Sequence, residues 1–100
     1  LTQTAAVAHY NAAKVTDAGR KAEDPAMAKK AALIYEDLIG IYPAQLGYHN
    51  HAGLNWLAAG DKVKAKEHHE EVVRRTEKKE LSEGDQKNRE YALKQLELIK

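Results

Sequence analysis

Between Leu38 and Gly60 the chain reads LIGIYPAQLGYHNHAGLNWLAAG, without one Asp, Glu, Lys or Arg. On either side of it, apolar or small positions recur every three to four residues and charged residues fill the gaps, the mark of helices with one wet face. A helix with no charged face is covered on most sides. The pattern therefore puts a helix over residues 44–59 at the centre of the domain, with the others packed around it.

Those others are bounded by capping chemistry. The first is predicted over 4–18, with Ala5, Ala8, Ala12 and Val15 as its apolar stripe, Thr2 or Thr4 as its cap and Gly19 at its end. Asp24-Pro25 starts the second: Asp caps the free N–H groups and Pro is tolerated at the first helical position. It runs to residue 39, with Met27, Ala31, Ile34 or Tyr35, and Leu38 inward and Lys29, Lys30, Glu36 and Asp37 outward; Gly40 and Pro43 end it. Gly60-Asp61 turns the chain into a fourth helix over 61–79, whose buried face is Ala65, His69, Val72 and Thr76. Its outer face carries Glu70–Arg74 and Glu71–Arg75 at i,i+4. Ser82-Glu83-Gly84-Asp85 opens a fifth, over 85–100, burying Tyr91 or Ala92, Leu96 and Ile99, with Asp85–Arg89 and Glu90–Lys94 on its wet side. No run of β-branched residues alternates with polar ones, so no strand is expected.

Composition narrows the classes. One hundred residues make one small domain. The 16 basic and 15 acidic residues are mixed along the chain, five and five before the neutral stretch and eleven and ten after it. That balance argues against a nucleic-acid surface and an anionic-membrane patch. Pro43, Gln45, His49, Asn50, His51 and Asn55 interrupt the neutral stretch, so membrane insertion is not expected. With no Cys, disulfide scaffolds and Cys-based zinc sites are excluded. A start at Leu1 suggests a fragment or a processed chain.

A repeat underlies the pattern. Ala31, Tyr35 and Leu38 superpose on Ala65, His69 and Val72 with an offset of 34 residues. Residues 47–76 carry a small pair (Ala52, Gly53), an aromatic three residues on (Trp56), a Gly-Asp turn and a small contact residue at Ala65. In period and in these positions the chain resembles the tetratricopeptide repeat family. Pro43 stands where that family ends a helix, and Ala12-Ala13 match a first-helix small pair, provided the turn after them is about six residues longer than usual. His69 departs from an expected aromatic, Glu77 from a Pro, and His49 from a frequent Trp.

The resemblance implies an all-α fold of antiparallel helix-turn-helix repeats, an α-solenoid of five helices. Repeat one spans about 4–43, repeat two about 44–79, and a capping helix about 83–100. It also implies a protein–protein interaction module, whose concave groove is lined by Tyr10, Lys14 and Asp17 from the first helix and Asn50, Leu54 and Leu57 from the third. In the alternative, Leu54 and Leu57 are core under the fifth helix. No Lys or Arg lies between Lys30 and Lys62, which argues against a carboxylate clamp; an amide among leucines suits a peptide with apolar side chains.

Two other classes stay open: a structural element that self-associates through its ends, and a metal- or ligand-binding bundle. His49/His51 and His68/His69 lack the i,i+4 spacing of a helical zinc site, so no metal and no cofactor are expected. His49 and His69 lie on packed faces and could meet across the third and fourth helices. No nucleophile arrangement or phosphate loop is present, so the chain is not expected to be an enzyme.

Overall fold

A computed structural model describes residues 2–16, 21–78 and 80–99. The fold is all-α, with five helices: α1 (Gln3–Ala13), α2 (Pro25–Ile41), α3 (Leu46–Ala58), α4 (Lys62–Arg75) and α5 (Glu83–Ile99). Helices adjacent in sequence pack on one another, and α5 also reaches back to α3. The radius of gyration, 12.6 Å, is close to the roughly 13 Å of a folded 100-residue domain, so the five helices form one body.

The neutral helix is the centre, as its composition requires. Nine residues of α3 are buried, from Leu46 to Ala58. Ala52 and Trp56 join Ala6 of α1, Ala32, Ile34, Tyr35 and Leu38 of α2, Ala65 of α4 and Ile99 of α5 in the main core. Helix α3 ends on a left-handed glycine. Gly60 has φ +94°, its N–H reaches the Leu57 carbonyl at 2.9 Å, and the Asp61 N–H reaches that of Trp56 at 2.8 Å. This is the paired closure that satisfies the last carbonyls of a helix, and only glycine adopts it without strain. Asp61 then accepts the Lys64 N–H at 3.0 Å and starts α4.

The caps at Thr2, Asp24 and Ser82 form as their sequence suggests. Helix α1 differs. It stops at Ala13, where Lys14 turns left-handed (φ 50°), and the chain enters a two-residue antiparallel ladder, β1 (Val15–Thr16) with β2 (Lys21–Ala22). Two consecutive β-branched residues explain the switch: Val15 and Thr16 lose side-chain freedom in a helix and fit a ladder. The long turn between α1 and α2 is thus partly a small hairpin; Gly19 lies outside the described residues. Helix α1 is also rotated from its expected face, burying Ala6 and Ala13 and exposing Ala8 and Ala12. With alanine on several faces, spacing alone cannot choose between them.

Other expectations shift for identifiable reasons. Both Ile34 and Tyr35 are buried and Met27 only half so, because α2 packs against α1 and α3. All four expected residues of α4 are buried, but α4 ends at Arg75, with the Thr76 hydroxyl folded onto the Val72 and Val73 carbonyls. Arg74 pairs with Glu71 rather than Glu70. Arg89 is not on a wet face with Asp85: it donates to the Val73 carbonyl and the Thr76 hydroxyl, each at 3.0 Å. It thereby satisfies the carbonyl end of α4. In α5 the buried residues are Ala92, Gln95 and Ile99, with Leu96 and Tyr91 half-buried.

Trp56 is 2% exposed, and its indole N–H donates to Glu36 at 2.9 Å. Trp56→Ala is expected to cost about 3–5 kcal/mol in urea denaturation. A loss below about 1 kcal/mol would remove α3 from the centre of the fold.

Candidate functional site

Because α3 is enclosed, its polar side chains must be partnered inside the protein, since an unpartnered buried group costs about 1–3 kcal/mol. They meet two neighbours, and each meeting creates a polar cluster.

The first lies between α3, α4 and α5. Asn50, 4% exposed, donates from its amide nitrogen to the Asn88 carbonyl at 3.0 Å. Its oxygen therefore faces His69, which donates from Nδ1 at 2.9 Å. The fully buried His69 ring is packed against Gly53 through Nε2 and its two neighbouring carbons. A Cβ built on Gly53 would sit 2.6 Å from Nε2 and 2.7 Å from Cε1. Gly53 is thus what lets α3 and α4 approach with an imidazole between them. Tyr91 of α5 closes the far side of the ring at 6.0 Å between centroids.

The second cluster lies between α2, α3 and α4. Indole N–H groups only donate, so Glu36 accepts from Trp56 at 2.9 Å; the same oxygen accepts Nε2–H of His68 at 2.8 Å. When His68 is neutral, its Nδ1 is bare and accepts Nδ1–H of His49 at 3.0 Å. His49 therefore pairs with His68, not with His69 as its packed face suggested. The cluster opens into a cavity of about 450 Å³ lined by Glu36, His49, Glu67, His68, Glu70, Glu71 and Arg74. It contains no Ser, Thr or Cys to act as a nucleophile, and among the described residues no three His, Asp or Glu side chains converge to hold a metal. Both histidines are committed to hydrogen bonds.

A cavity of about 230 Å³ on α1 and α2 is lined by Ala8, His9, Ala12 and Met27, and a larger one with apolar walls lies elsewhere. A cleft of about 290 Å³ between α3 and α5 is lined by Gly47, Asn50, His51 and Leu54 on one side and Lys87, Asn88 and Tyr91 on the other. This volume is at the lower limit of small-molecule pockets and suits one or two side chains. Its floor is fixed by the Asn50–Asn88 bond and its wall by Leu54 and Tyr91. Among the described residues Lys87 at the mouth is paired with Glu83, at 3.4 Å; both are strongly exposed, so that pair contributes little.

The expected groove residues fall unevenly about this cleft. Asn50 and Leu54 line it together, although Asn50 is spent on His69 and Asn88. Leu57 is half-buried against the main core and does not line the cleft. Tyr10 is half-buried on α1, close enough that its charge, after burial, helps push the Tyr35 and Tyr91 hydroxyls to higher pKa. Lys14 is not on a helical groove face; it is the exposed cap of α1, paired with Glu23 at 3.5 Å. Asp17 lies outside the described residues. Lys87, Asn88 and Tyr91 join the lining because α5 returns to α3, a contact that the periodicity of a single helix does not reveal, and His51 joins it from α3 itself.

No family model, curated protein or solved structure matches this chain. Among the described residues, no helix is long and apolar enough to cross a membrane.

Gly53→Ala is expected to destabilise the protein by about 1–3 kcal/mol through crowding of His69. This outweighs the roughly 1 kcal/mol by which alanine is the better helix former. Chemical denaturation of the single variant checks it, and a stabilised Gly53→Ala would mean that the ring is not seated there.

Proposed function

We propose that this chain is a peptide-binding module of tetratricopeptide type, two helical repeats and a capping helix, that takes an apolar side chain of a partner protein into the cleft between α3 and α5. The observation that carries the proposal is the cleft itself: two apolar walls, Leu54 and Tyr91, beside an Asn50 amide already spent on His69 and Asn88, with an exposed lysine and an exposed histidine at the mouth. A site of that kind accepts a hydrophobic side chain and leaves the rest of a peptide to run along the surface.

The repeat reading is supported by position. Ala31, Tyr35 and Leu38 of α2 and Ala65, His69 and Val72 of α4 are all buried, at the 34-residue offset. Connections of residues 42–45 and 59–61 return each helix along its predecessor. In this proposal the role is binding rather than catalysis, with no cofactor.

The site is tested with peptides selected on the wild-type protein from a random display library. His51→Glu and Lys87→Glu change exposed side chains at the cleft mouth and should leave the helical content intact. The selected peptides should lose about tenfold or more in affinity to the double variant, ~1.4 kcal/mol. Unchanged affinity would put the site elsewhere.

A second reading, self-association, is favoured by the exposure of Ile41 (60%), Tyr42 (52%) and Val63 (68%) at helix ends. It requires a mass that rises with concentration in sedimentation equilibrium. A monomeric mass across the micromolar range would remove it.

A further inference from the structure

Three of the five histidines lie in the interface between α3 and α4, and with all three rings neutral their hydrogen bonds set which nitrogens carry the protons. His69 donates Nδ1–H to Asn50, so its Nε2 carries a lone pair. That nitrogen is buried against the Gly53 α-carbon and has no partner. His49 donates Nδ1–H to His68, and its Nε2 is likewise buried and unpartnered. A bare nitrogen in an apolar contact is tolerable. A charged N–H in the same place has no acceptor, and a buried unpaired charge is among the costliest things a fold can hold.

We propose that the α3/α4 interface is an acid-sensitive joint, whose protonation at His49 and His69 frees α4 and α5 from α3 and dismantles the α3/α5 cleft. The loss of peptide binding that follows rests on the function proposed above; the opening of the joint does not. Helix α5 leaves with α4 because Arg89 is bonded to the end of α4, while its polar link to α3 is the Asn50–Asn88 bond beside His69.

The surrounding charges do not rescue the protonated forms. Facing His69 are Asn50 and Gly53 from α3, His68 on its own helix and Tyr91 from α5, none of them anionic near neutral pH. Burial, then the neighbouring His68, lowers its pKa to about 4. Around His49 stand His68, Arg75 and Glu71 of α4 and Glu36 of α2. Burial dominates, His68 and Arg75 add to it, and the two carboxylates offset only part, so this pKa also falls to about 4. Both values lie below the ordinary 6.5 of histidine. The unfolded or opened state therefore binds the extra protons. The stability contributed by these neutral rings is fully present above pH 6.5 and is lost as pH falls from 6.5 towards 4. Glu71 is shifted downward, away from the upper part of that window. Burial works against its charge, but the hydrogen bond from Arg74 and the charges of Arg74, Arg75 and His49 hold its carboxyl below 4.5.

The test follows amide exchange of α4 and α5, helicity and bound display-selected peptide from about pH 7.5 to about pH 4. Wild type should lose protection in α4 and α5 within that window, with uptake of about two protons, and release the peptide along the same curve. A His49→Gln/His69→Gln variant, helical at neutral pH, should open at a pH lower by about one unit or more. The joint is refuted if the variant opens at the wild-type pH, or if wild type keeps its α4 protection throughout. Should the variant not fold, ring-proton NMR of wild type decides: both histidines must titrate together with the opening, and ordinary titration with α4 intact overturns the proposal. Opening with the peptide still bound would uphold the joint and refute the cleft as the binding site.

Discussion

A helix with no charge to expose must be enclosed, and enclosure presses the buried polar side chains on it to find partners, a demand met for each of them by at least one bond while His49 Nε2 and Asn55 Oδ1 stay unpaired. That constraint, acting on α3, organises the molecule. It brings Asn50 to His69 and Asn88, Trp56 to Glu36, and His49 to His68. These bonds tie α3 to α2, α4 and α5. The core between them is built of alanine, with few large side chains and no Phe. Small residues let helices approach closely, and directional bonds then set which side chains face which. The hydrophobic effect supplies most of the driving force, and the polar seams supply the register.

The same constraint produces the cleft. The bond from the Asn50 amide to the Asn88 carbonyl holds α3 and α5 together at one level, and Leu54 and Tyr91 line the cleft beside it. A groove residue that spends its hydrogen bonds inside the protein positions the site rather than reading a ligand. Asn50 is of that kind. Recognition falls to the apolar walls, to the exposed Lys87 in its weak pair with Glu83, and to His51, whose ring stacks on Tyr35 at 5.1 Å between centroids.

Helix number, order and the central element were legible in the sequence because they rest on strong local chemistry. The absence of charge from residue 38 to 60, the Asp24-Pro25 start and the Gly60-Asp61 turn each have one physical reading. The end of α1 was not legible, since an alanine-rich helix has no marked face and the ladder depends on residues that come later in the chain. The partners of the histidines were hidden for another reason. Periodicity assigns His69 to a buried face but not to a neighbour, and His68, one residue on from a wet position, bonds Glu36 of α2. Arg89 was assigned to solvent by its own helix, whereas the carbonyl end of α4 claims it. Half of the cleft was legible, Asn50 and Leu54; the rest required knowing that α5 returns to α3.

If enclosure of α3 governs the fold, its backbone should be the last to open. Residue-resolved native-state hydrogen exchange at neutral pH measures this directly. Amides from Asn50 to Trp56 are expected to exchange only through global unfolding, with the highest protection in the chain, and α1 to open well before them. Protection of α3 no greater than that of α1 would contradict it.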